Sequence, residues 1–554
     1  MKKRLMIILI AVTVLVSTMP VTASACTAAY VGKKASQDGT IIIARSNDAH
    51  PMFNPIKLDR REAKDTAGQE YKQVTNNFTW KYPDKTYSYV CAPQWECNTN
   101  DEGRFAGYAM NEMGVTLTAT TTGYACEKAL AADPYAKNGI KEEGIPDIVG
   151  PCCKTAREVV ELLAKICDKQ GSGESNIVMI NDKDEAWYME MYTGHQYAAV
   201  KMPEDAVSVY GNEFMLENLE DYDEVITSPN LKSLPEKSGF AEYDAYGRFD
   251  VFDTYAGKGR LADYANRRTW YGHYVFSPST AGEYNTTTKY PLFFKPDAKI
   301  ALTDVMNLLR SRFEGTEFDP SINDSKELRV IGTETQEMVH VLQTYTDLPA
   351  NRCNVAWTSI APSECGVYLP QFSCMDSFDP AFTKSNAEYV IDDEAAYSVF
   401  KELNTLCTTN RKLYKPAVAE YWGSLEKHLT KTVSEAMSAS KDMSDSAAQK
   451  YLTAYGKKVE KAAFEDAKIL SDDVLLAMVN NNDTLKSKFD YKTLTYVKEV
   501  EPEPAKISLN TKDFATKYAI DEPETANIGL IIGIATVVIV LAIVVIKRNK
   551  KIKE

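Results

Sequence analysis

One short stretch, from Val21 to Asp48, constrains this chain more than any other. The small residues Ala23-Ser24-Ala25 form a signal-peptide cleavage site, so removal of residues 1–25 would make Cys26 the first residue. An N-terminal cysteine carries a thiol nucleophile and an α-amine, and an α-amine, whose ordinary pKa is about 8, can accept a proton at neutral pH. The sequence therefore predicts an amide hydrolase in which Cys26 supplies both the nucleophile and the base.

The residues after Cys26 predict a β-hairpin. Two β-rich runs, CTAAYV and TIIIAR, flank a turn signal at Gln37-Asp38-Gly39. Because the start of the first strand lies beside the end of the second, we expect Cys26 to lie near Arg45 and Asp48. The Arg45 guanidinium would favour the thiolate, and the Asp48 carboxylate would orient the α-amine. An ordinary hairpin that ends in an Arg/Asp ion pair is the alternative interpretation.

The two ends of the chain predict a secreted protein that is anchored in a membrane. Residues 1–25 have the pattern of a secretory signal peptide, MKKR followed by an apolar run. Residues 528–546 form a stretch of 19 uncharged residues, which is long enough to span a bilayer, and the basic tail KRNKKIKE (547–554) follows. We therefore expect a single-pass protein of the cell membrane, with its N-terminal domain outside the cell and a short cytoplasmic tail.

Charge argues against a nucleic-acid partner, and the cysteine spacing argues against a zinc site. Without the two ends, the chain has 55 basic and 76 acidic residues, a net charge near −21, which argues against binding to nucleic acid. Ten cysteines remain besides Cys26, an even number that permits disulfides, and Cys91 with Cys97 is the first pair to test. The absence of CxxC pairs argues against a zinc site.

Secondary-structure patterns divide the rest of the chain. The segment FAGYAMNEMGVTLTATTT predicts two strands around a turn at 111–114, and Thr155-Ala156-Arg157-Glu158 is a capping box that opens a helix. Three strand-like runs follow, namely NIVMIND, EAWYMEMY and AVSVYGNEF. Long helical patterns occupy residues 386–497, and an acidic, proline-containing linker follows at 498–527.

Several segments, in their order along the chain, carry a resemblance to a known family. They are CTAAYVGKKASQDGTIIIARSND, YAMNEMGVTLTATTT, TAREVVELLAKICDKQGSGESNIVMINDKDEAWYME, VAWTSI and VYLPQF. Over about residues 26–420 the sequence resembles the bacterial dipeptidase family of cysteine N-terminal-nucleophile (Ntn) hydrolases, relatives of penicillin V acylase and bile salt hydrolase. The resemblance implies an α+β fold, an αββα sandwich of two antiparallel sheets covered by helices. It makes 26–385 the catalytic domain and 386–497 a helical region packed on that domain or extending it.

The resemblance also implies roles for particular residues. Cys26 would be the nucleophile, and Arg45 and Asp48 match the positions that flank the nucleophile and its amine. Asn212 falls where a side-chain amide contributes to the oxyanion hole. Arg268 matches a later arginine of the site, although the adjacent Arg267 leaves the register open by one residue. The chain departs from the acylase relatives at Thr120 and Thr121, where those relatives carry an oxyanion-hole asparagine.

We therefore expect a dipeptidase that acts on dipeptides or other small amides and needs no metal or organic cofactor. An acylase or linear amide hydrolase of the penicillin V acylase or bile salt hydrolase type is the alternative with the same chemistry. A lipoprotein lipidated at Cys26 would be non-catalytic, because TASAC also resembles a lipobox. A surface scaffold with a degenerate hydrolase domain and a papain-like Cys/His enzyme are further alternatives. Whether the protein forms a homo-oligomer stays open.

Overall fold

The structure, a computed structural model, describes most of the chain between Cys26 and Asp521. The described residues are 26–49, 53–93, 106–120, 123–257, 260–322, 328–384, 390–484, 489, 490, 492, 494–496 and 502–521. The predicted signal peptide, membrane-spanning helix and cytoplasmic tail lie outside the described residues, as do Cys97 and Thr121. No helix in the described part is both long and apolar enough to cross a membrane.

Two large antiparallel sheets form the centre of the molecule. The strands are β1 Thr27–Val31, β2 Ile41–Asp48, β3 Asp59–Arg61, β4 Glu70–Lys72, β5 Thr79–Lys81, β6 Tyr89–Pro93, β7 Ala106–Asn111, β8 Thr116–Thr120, β9 Asn176–Asn181, β10 Ala186–Met191, β11 Tyr197–Lys201, β12 Val207–Tyr210, β13 Val225–Thr227, β14 Gln336–Thr344, β15 Asn354–Ile360, β16 Leu369–Phe372, β17 Phe489–Asp490 and β18 Thr495–Tyr496. One sheet has the order β12-β1-β2-β14-β15-β16, and the other has the order β13-β11-β10-β9-β8-β7-β6-β3. The pairs β4–β5 and β17–β18 form small separate ribbons.

The two large sheets face each other and exchange side-chain hydrogen bonds. Asn181 on β9 donates from Nδ2 to Thr344 Oγ1 on β14 at 2.8 Å, and the hydroxyls of Tyr108 and Thr358 lie 3.4 Å apart. Every residue of β2 is buried, from the apolar Ile41 to the charged Asp48. Buried polar groups need hydrogen-bond partners, so the polar half of β2 requires hydrogen bonds between the sheets. The candidate active site lies at this half of the strand.

Helices cover the outer faces of both sheets. The helices of the described part of the chain are α1 Glu127–Ala132, α2 Ile145–Val149, α3 Ala156–Gln170, α4 Ser233–Ser238, α5 Val251–Tyr255, α6 Asp263–Phe276, α7 Pro278–Ala281, α8 Leu302–Arg310, α9 Pro380–Thr383, α10 Ala396–Thr409, α11 Arg411–Ser440, α12 Asp445–Thr484 and α13 Phe514–Lys517. Helices α2 and α3 cover the eight-stranded sheet, and α8 with α10–α12 covers the six-stranded sheet. The α+β class with two antiparallel sheets and helices is therefore confirmed.

Several local predictions are confirmed. The segment around 111–114 forms β7, a turn and β8. Thr155 caps α3 by accepting the Glu158 N–H, and the Glu158 carboxylate accepts the Lys154 N–H. Strand β11 was not predicted, because its five residues give only a short apolar run between two turns.

The C-terminal helices pack on the six-stranded sheet beside β16. Glu426 on α11 accepts the backbone N–H of Tyr368 at 3.0 Å, and Glu460 on α12 accepts that of Asp379 at 2.7 Å. The described part of the predicted linker also packs on these helices: the Phe514 and Tyr421 rings lie 5.1 Å apart. The chain divides into two compact units, residues 1–518 and 519–554, and only 519–521 of the second are described.

Candidate active site

The β1–β2 hairpin brings Cys26 beside the polar end of β2. The strands pair antiparallel, with Thr27 opposite Ser46 and Ala28 opposite Arg45, and the Thr27 N–H donates to Ser46 Oγ at 3.0 Å. The turn contains Gly39 at φ +77°, a backbone conformation that glycine adopts without strain. The predicted hairpin and the closeness of Cys26 to Arg45 and Asp48 are confirmed.

Arg45 links the Cys26 thiol to both sheets. Its Nη1 lies 3.7 Å from Cys26 Sγ and donates to Glu142 Oε1 at 3.2 Å. Its Nε donates to Thr118 Oγ1 at 2.8 Å, and its Nη2 donates to the Gly107 carbonyl at 3.0 Å. All three guanidinium nitrogens are therefore engaged, which fixes the cation next to the sulfur.

Arg268 reaches the same residue from the other side. It lies on α6, is fully buried, and its Nη1 donates to the Cys26 carbonyl at 2.6 Å and to Thr27 Oγ1 at 2.8 Å. The neighbouring Arg267 instead pairs with Asp263 and lies over the Phe318 ring, 4.5 Å from its centroid. Arg268, and not Arg267, is therefore the arginine that belongs to the site.

Asn212 is oriented by Arg268. The Arg268 Nη2 donates to Asn212 Oδ1 at 2.5 Å, and Asn212 is buried at the end of β12. Because Oδ1 is the acceptor in that bond, Nδ2 is the atom with which this amide can donate elsewhere.

Close backbone packing brings Asn212 and Arg268 together. A Cβ on Gly211 would lie 2.7 Å from the Ala265 carbonyl oxygen of α6, and one on Gly272 would lie 2.2 Å from Val209 Cβ of β12. Real Cβ atoms do not approach so closely, so α6 can rest on β12 at this distance only with glycine at these positions.

Asp48 lies at the end of β2 and is also buried. It forms an ion pair with Arg329, while its Oδ1 has no hydrogen-bond partner within the described part of the chain. Burial raises the pKa of the Asp48 carboxyl, and the guanidinium groups of Arg329, Arg268 and Arg45 act in the opposite direction. An acceptor atom is thus held close to Cys26, inside a group of three cations.

Burial has the largest effect on the pKa of Cys26. Burial raises the pKa of the thiol above its ordinary value, and the Asp48 and Glu142 carboxylates raise it further. Arg45 lowers the pKa, as predicted, and the Thr120 hydroxyl does so as well. The prediction that Arg45 favours the thiolate is therefore confirmed in direction, but the cost of burying the anion is the larger effect on the pKa of Cys26.

Arg268 keeps its charge in spite of its burial. Burial and the nearby Arg329 lower the pKa of Arg268 to about 9, against the opposing effect of Asp48. The guanidinium is therefore protonated at neutral pH and can support negative charge at the site.

Sequence reasoning missed three residues of the site. Glu142 lies on the short 3-10 helix Glu142–Gly144, Arg329 precedes β14, and Thr118 lies on β8. Each comes from a segment distant in sequence from Cys26, and neither Glu142 nor Arg329 stands in a motif. The one available signal concerned Thr118, which lies shortly after the turn at 111–114 in a segment that was predicted to be a strand.

A histidine lies close to the site without reaching the thiol. His340 on β14 pairs with Arg45 across the sheet, and its Nε2 lies 3.0 Å from Thr118 Oγ1. Burial, together with Arg45, holds the pKa of His340 well below its ordinary value. Because Nε2 bonds to Thr118 and Nδ1 has no hydrogen-bond partner in the described part of the chain, His340 does not form a Cys/His pair with Cys26.

Comparisons with known proteins agree on the kind of enzyme. The Peptidase family C69 profile matches residues 25–424. "Probable dipeptidase B" of Streptococcus pyogenes serotype M1 is 30% identical over 438 residues, which cover 76% of this chain and 85% of that protein. "Probable dipeptidase" of Salmonella dublin is 33% identical over 373 residues, covering 65% of this chain and 83% of that protein.

Solved structures give a weaker likeness. A crystal structure of a mutant conjugated bile acid hydrolase from Clostridium perfringens is 12% identical, with a TM-score of 0.30. It covers 60% of this chain and 89% of that chain.

Proposed function

Because the chain belongs to peptidase family C69, we propose that it is a dipeptidase that hydrolyses the peptide bond of dipeptides with Cys26 as an N-terminal nucleophile. Support for the substrate class comes from the relatives, whose names describe probable dipeptidases. The observation that carries the role of Cys26 is its place between two arginines, with Arg45 on the sulfur and Arg268 on the carbonyl.

In this proposal the reaction begins with a neutral thiol. Removal of residues 1–25 frees the α-amine of Cys26, and Asp48 Oδ1 is an acceptor that can hold the amine once it is protonated. The thiol proton passes to the α-amine as Sγ attacks the substrate carbonyl carbon. The raised pKa of the thiol fits this sequence, since the thiolate forms only when the proton has an acceptor and Arg45 lies beside the new charge.

The tetrahedral intermediate then carries its negative charge on the former carbonyl oxygen. The Asn212 amide, oriented by Arg268, would donate from Nδ2 to this oxyanion. Collapse of the intermediate breaks the C–N bond, and the leaving amine takes the proton from the α-ammonium of Cys26. Water, deprotonated by the same amine, releases the acyl group from Sγ and restores the thiol.

The wider architecture follows from the same proposal. We infer an Ntn-hydrolase sandwich for residues 26–385, secretion through the signal at 1–25, and anchoring by the apolar segment 528–546. The cell-membrane location with an external catalytic domain is part of this proposal and rests on those two sequence segments.

The first experiment measures the N-terminal mass of the mature protein after its release from the cell membrane, together with dipeptide hydrolysis by the same sample. We expect an unmodified Cys26 terminus and turnover. Inserting one glycine between Ala25 and Cys26 should abolish turnover, because the α-amine then belongs to another residue. Cys26→Ser should lose most activity, whereas Cys152→Ser, which removes a half-buried thiol outside the site, should not.

The outcomes separate the alternatives. An acylated or lipidated Cys26 would make the protein a lipoprotein and remove the catalytic amine. A free Cys26 terminus with hydrolysis of acyl amides and not of dipeptides would make it an acylase. Full dipeptidase activity in the glycine-insertion variant would contradict the proposed base.

A further inference from the structure

Glu142 lies at the outer edge of the candidate active site, on a segment whose backbone is fixed. The Lys141 N–H donates to Gln73 Oε1 at 3.0 Å, and the Glu142 N–H donates to Glu174 Oε1 at 2.8 Å. The 3-10 helix Glu142–Gly144 starts at this point and runs directly into α2. The side chain of Glu142 therefore leaves a backbone that is held on both sides.

One nitrogen of Arg45 joins Glu142 to the nucleophile. Arg45 Nη1 lies 3.2 Å from Glu142 Oε1 and 3.7 Å from Cys26 Sγ. The Arg45 side chain is 1% exposed, whereas that of Glu142 is 18% exposed. Of the two partners of this ion pair, the carboxylate is therefore the one that reaches solvent.

A second carboxylate contacts the Glu142 backbone, and tyrosines lie near the thiol. Glu174 accepts the Glu142 N–H and is half-buried, and Tyr124, Tyr135 and Tyr264 are half-buried as well. Burial raises the pKa of Tyr124, and the neighbouring Tyr264, Tyr135 and Cys26 raise it further, so this tyrosine lies close to the thiol. Acidic groups next to aromatic faces are a favourable environment for an organic ammonium ion.

We propose that Glu142 binds the α-ammonium group of the substrate and so restricts the enzyme to dipeptides with a free N-terminus. This inference rests on the proposed function. In a dipeptide the α-nitrogen is two bonds from the carbon of the scissile carbonyl, about 2.5 Å away. When that carbon meets Cys26 Sγ, the ammonium group comes within reach of the carboxylate that shares Arg45 Nη1 with the sulfur.

The bond from Arg45 does not by itself exclude a second cation. A carboxylate offers about four lone-pair positions on its two oxygens, and the bond from Arg45 is made to Oε1. A substrate that lacks the α-amino group would remove water from this carboxylate without supplying the second cation, so discrimination against such substrates should be large.

The test compares two substrates in three enzymes, each produced as the full chain. One substrate is a dipeptide that the wild type hydrolyses, and the other is the same compound with its α-amino group replaced by hydrogen. Glu142→Gln removes the charge but keeps an oxygen for Arg45. Glu143→Gln is the matched control, since Glu143 Oε1 accepts from Thr75 N at 3.0 Å and from Thr75 Oγ1 at 2.6 Å, away from Arg45.

We expect the wild type and Glu143→Gln to prefer the dipeptide strongly. In Glu142→Gln, kcat/KM for the dipeptide should fall about 10- to 100-fold, while kcat/KM for the deaminated analogue should change little. The ratio of the two kcat/KM values is the readout, because a shift of Arg45 or of the fold would lower both values together.

Three results would overturn the inference. The first is an equal loss of kcat/KM for both substrates in Glu142→Gln, which would make Glu142 a positioning residue for Arg45. The second is an unchanged ratio of the two kcat/KM values in Glu142→Gln. The third is a wild type that hydrolyses the deaminated analogue as well as the dipeptide. A wild type with a free Cys26 terminus that hydrolyses no dipeptide would instead refute the proposed function itself.

Discussion

Replacing Asn212 by aspartate tests the oxyanion hole with the smallest change of shape. The carboxylate keeps an oxygen for the 2.5 Å bond from Arg268 Nη2, the donor Nδ2 is lost, and a negative charge is added beside the position of the oxyanion. Loss of one oxyanion donor lowers kcat about 10²- to 10³-fold, or about 2.7–4 kcal/mol in the transition state. Because the new charge also repels the oxyanion, we expect a fall of at least this size in kcat, with KM nearly unchanged.

The assay is steady-state dipeptide hydrolysis, paired with thermal unfolding of the same samples. Asn212→Asp should unfold no earlier than the wild type, because a carboxylate pairs well with Arg268. Asn212→Ala should lose about 1–3 kcal/mol of stability as well, because it leaves Arg268 Nη2 without this acceptor. Asn230→Asp makes the same chemical change at an exposed position and should alter neither property. An unchanged kcat in a folded Asn212→Asp enzyme would refute the role of Nδ2.

Three further predictions follow from the described contacts. Arg268→Lys should lower kcat/KM by at least about tenfold, because lysine cannot reach the Cys26 carbonyl, Thr27 and Asn212 together. Arg267→Lys should have a small effect on kcat/KM. Similar losses in both variants would contradict the placement of Arg268 in the site. Gly272→Ala should lower the unfolding free energy by about 1–3 kcal/mol, since the new methyl group meets Val209, and should lower activity as well. Calorimetry measures the loss of stability, and an activity assay on the same samples measures the loss of turnover. Burial raises the pKa of Glu460 to about 8. The folded state then binds more protons than the unfolded state between about pH 4.5 and 8, so stability should fall as pH rises through that window, by about 1.4 kcal/mol per unit of pKa shift. Urea unfolding should show a flatter pH dependence in Glu460→Gln, and a parallel dependence would exclude this carboxyl as the cause.

Local geometry at the site was predictable, and its electrostatics were not. The turn at Gly39 and two β-rich runs fix which residues of β1 and β2 meet, so the closeness of Cys26 to Arg45 follows from a short piece of sequence. The pKa of Cys26 depends on how much water the rest of the fold removes from the sulfur. Burial arises from all layers together, and no local pattern reports it.

The parts of the site that come from distant segments needed other information. Asn212 and Arg268 were predicted by resemblance alone, and the choice between Arg267 and Arg268 required the structure. Consecutive residues on a helix point about 100° apart, and here one faces Cys26 while the other faces Phe318. Glu142 and Arg329 stand in no sequence motif. Both lie outside the strands and α-helices, so no repeating pattern of residues indicates that the chain brings them to the site.

The manner in which Cys26 is held has a consequence for the timing of activation. The β1–β2 pairing and the bond from Arg268 to the Cys26 carbonyl all lie on the C-terminal side of its α-nitrogen. None of these contacts needs a free amine, so if residues 1–25 are a leader, a precursor that still carries them would complete the site and stay inactive because it lacks the α-amine base. Under the proposed maturation, a single peptide-bond cleavage would then switch on an already assembled enzyme. Activity would appear at the rate of leader removal, and the peptides of the cytoplasm would be spared.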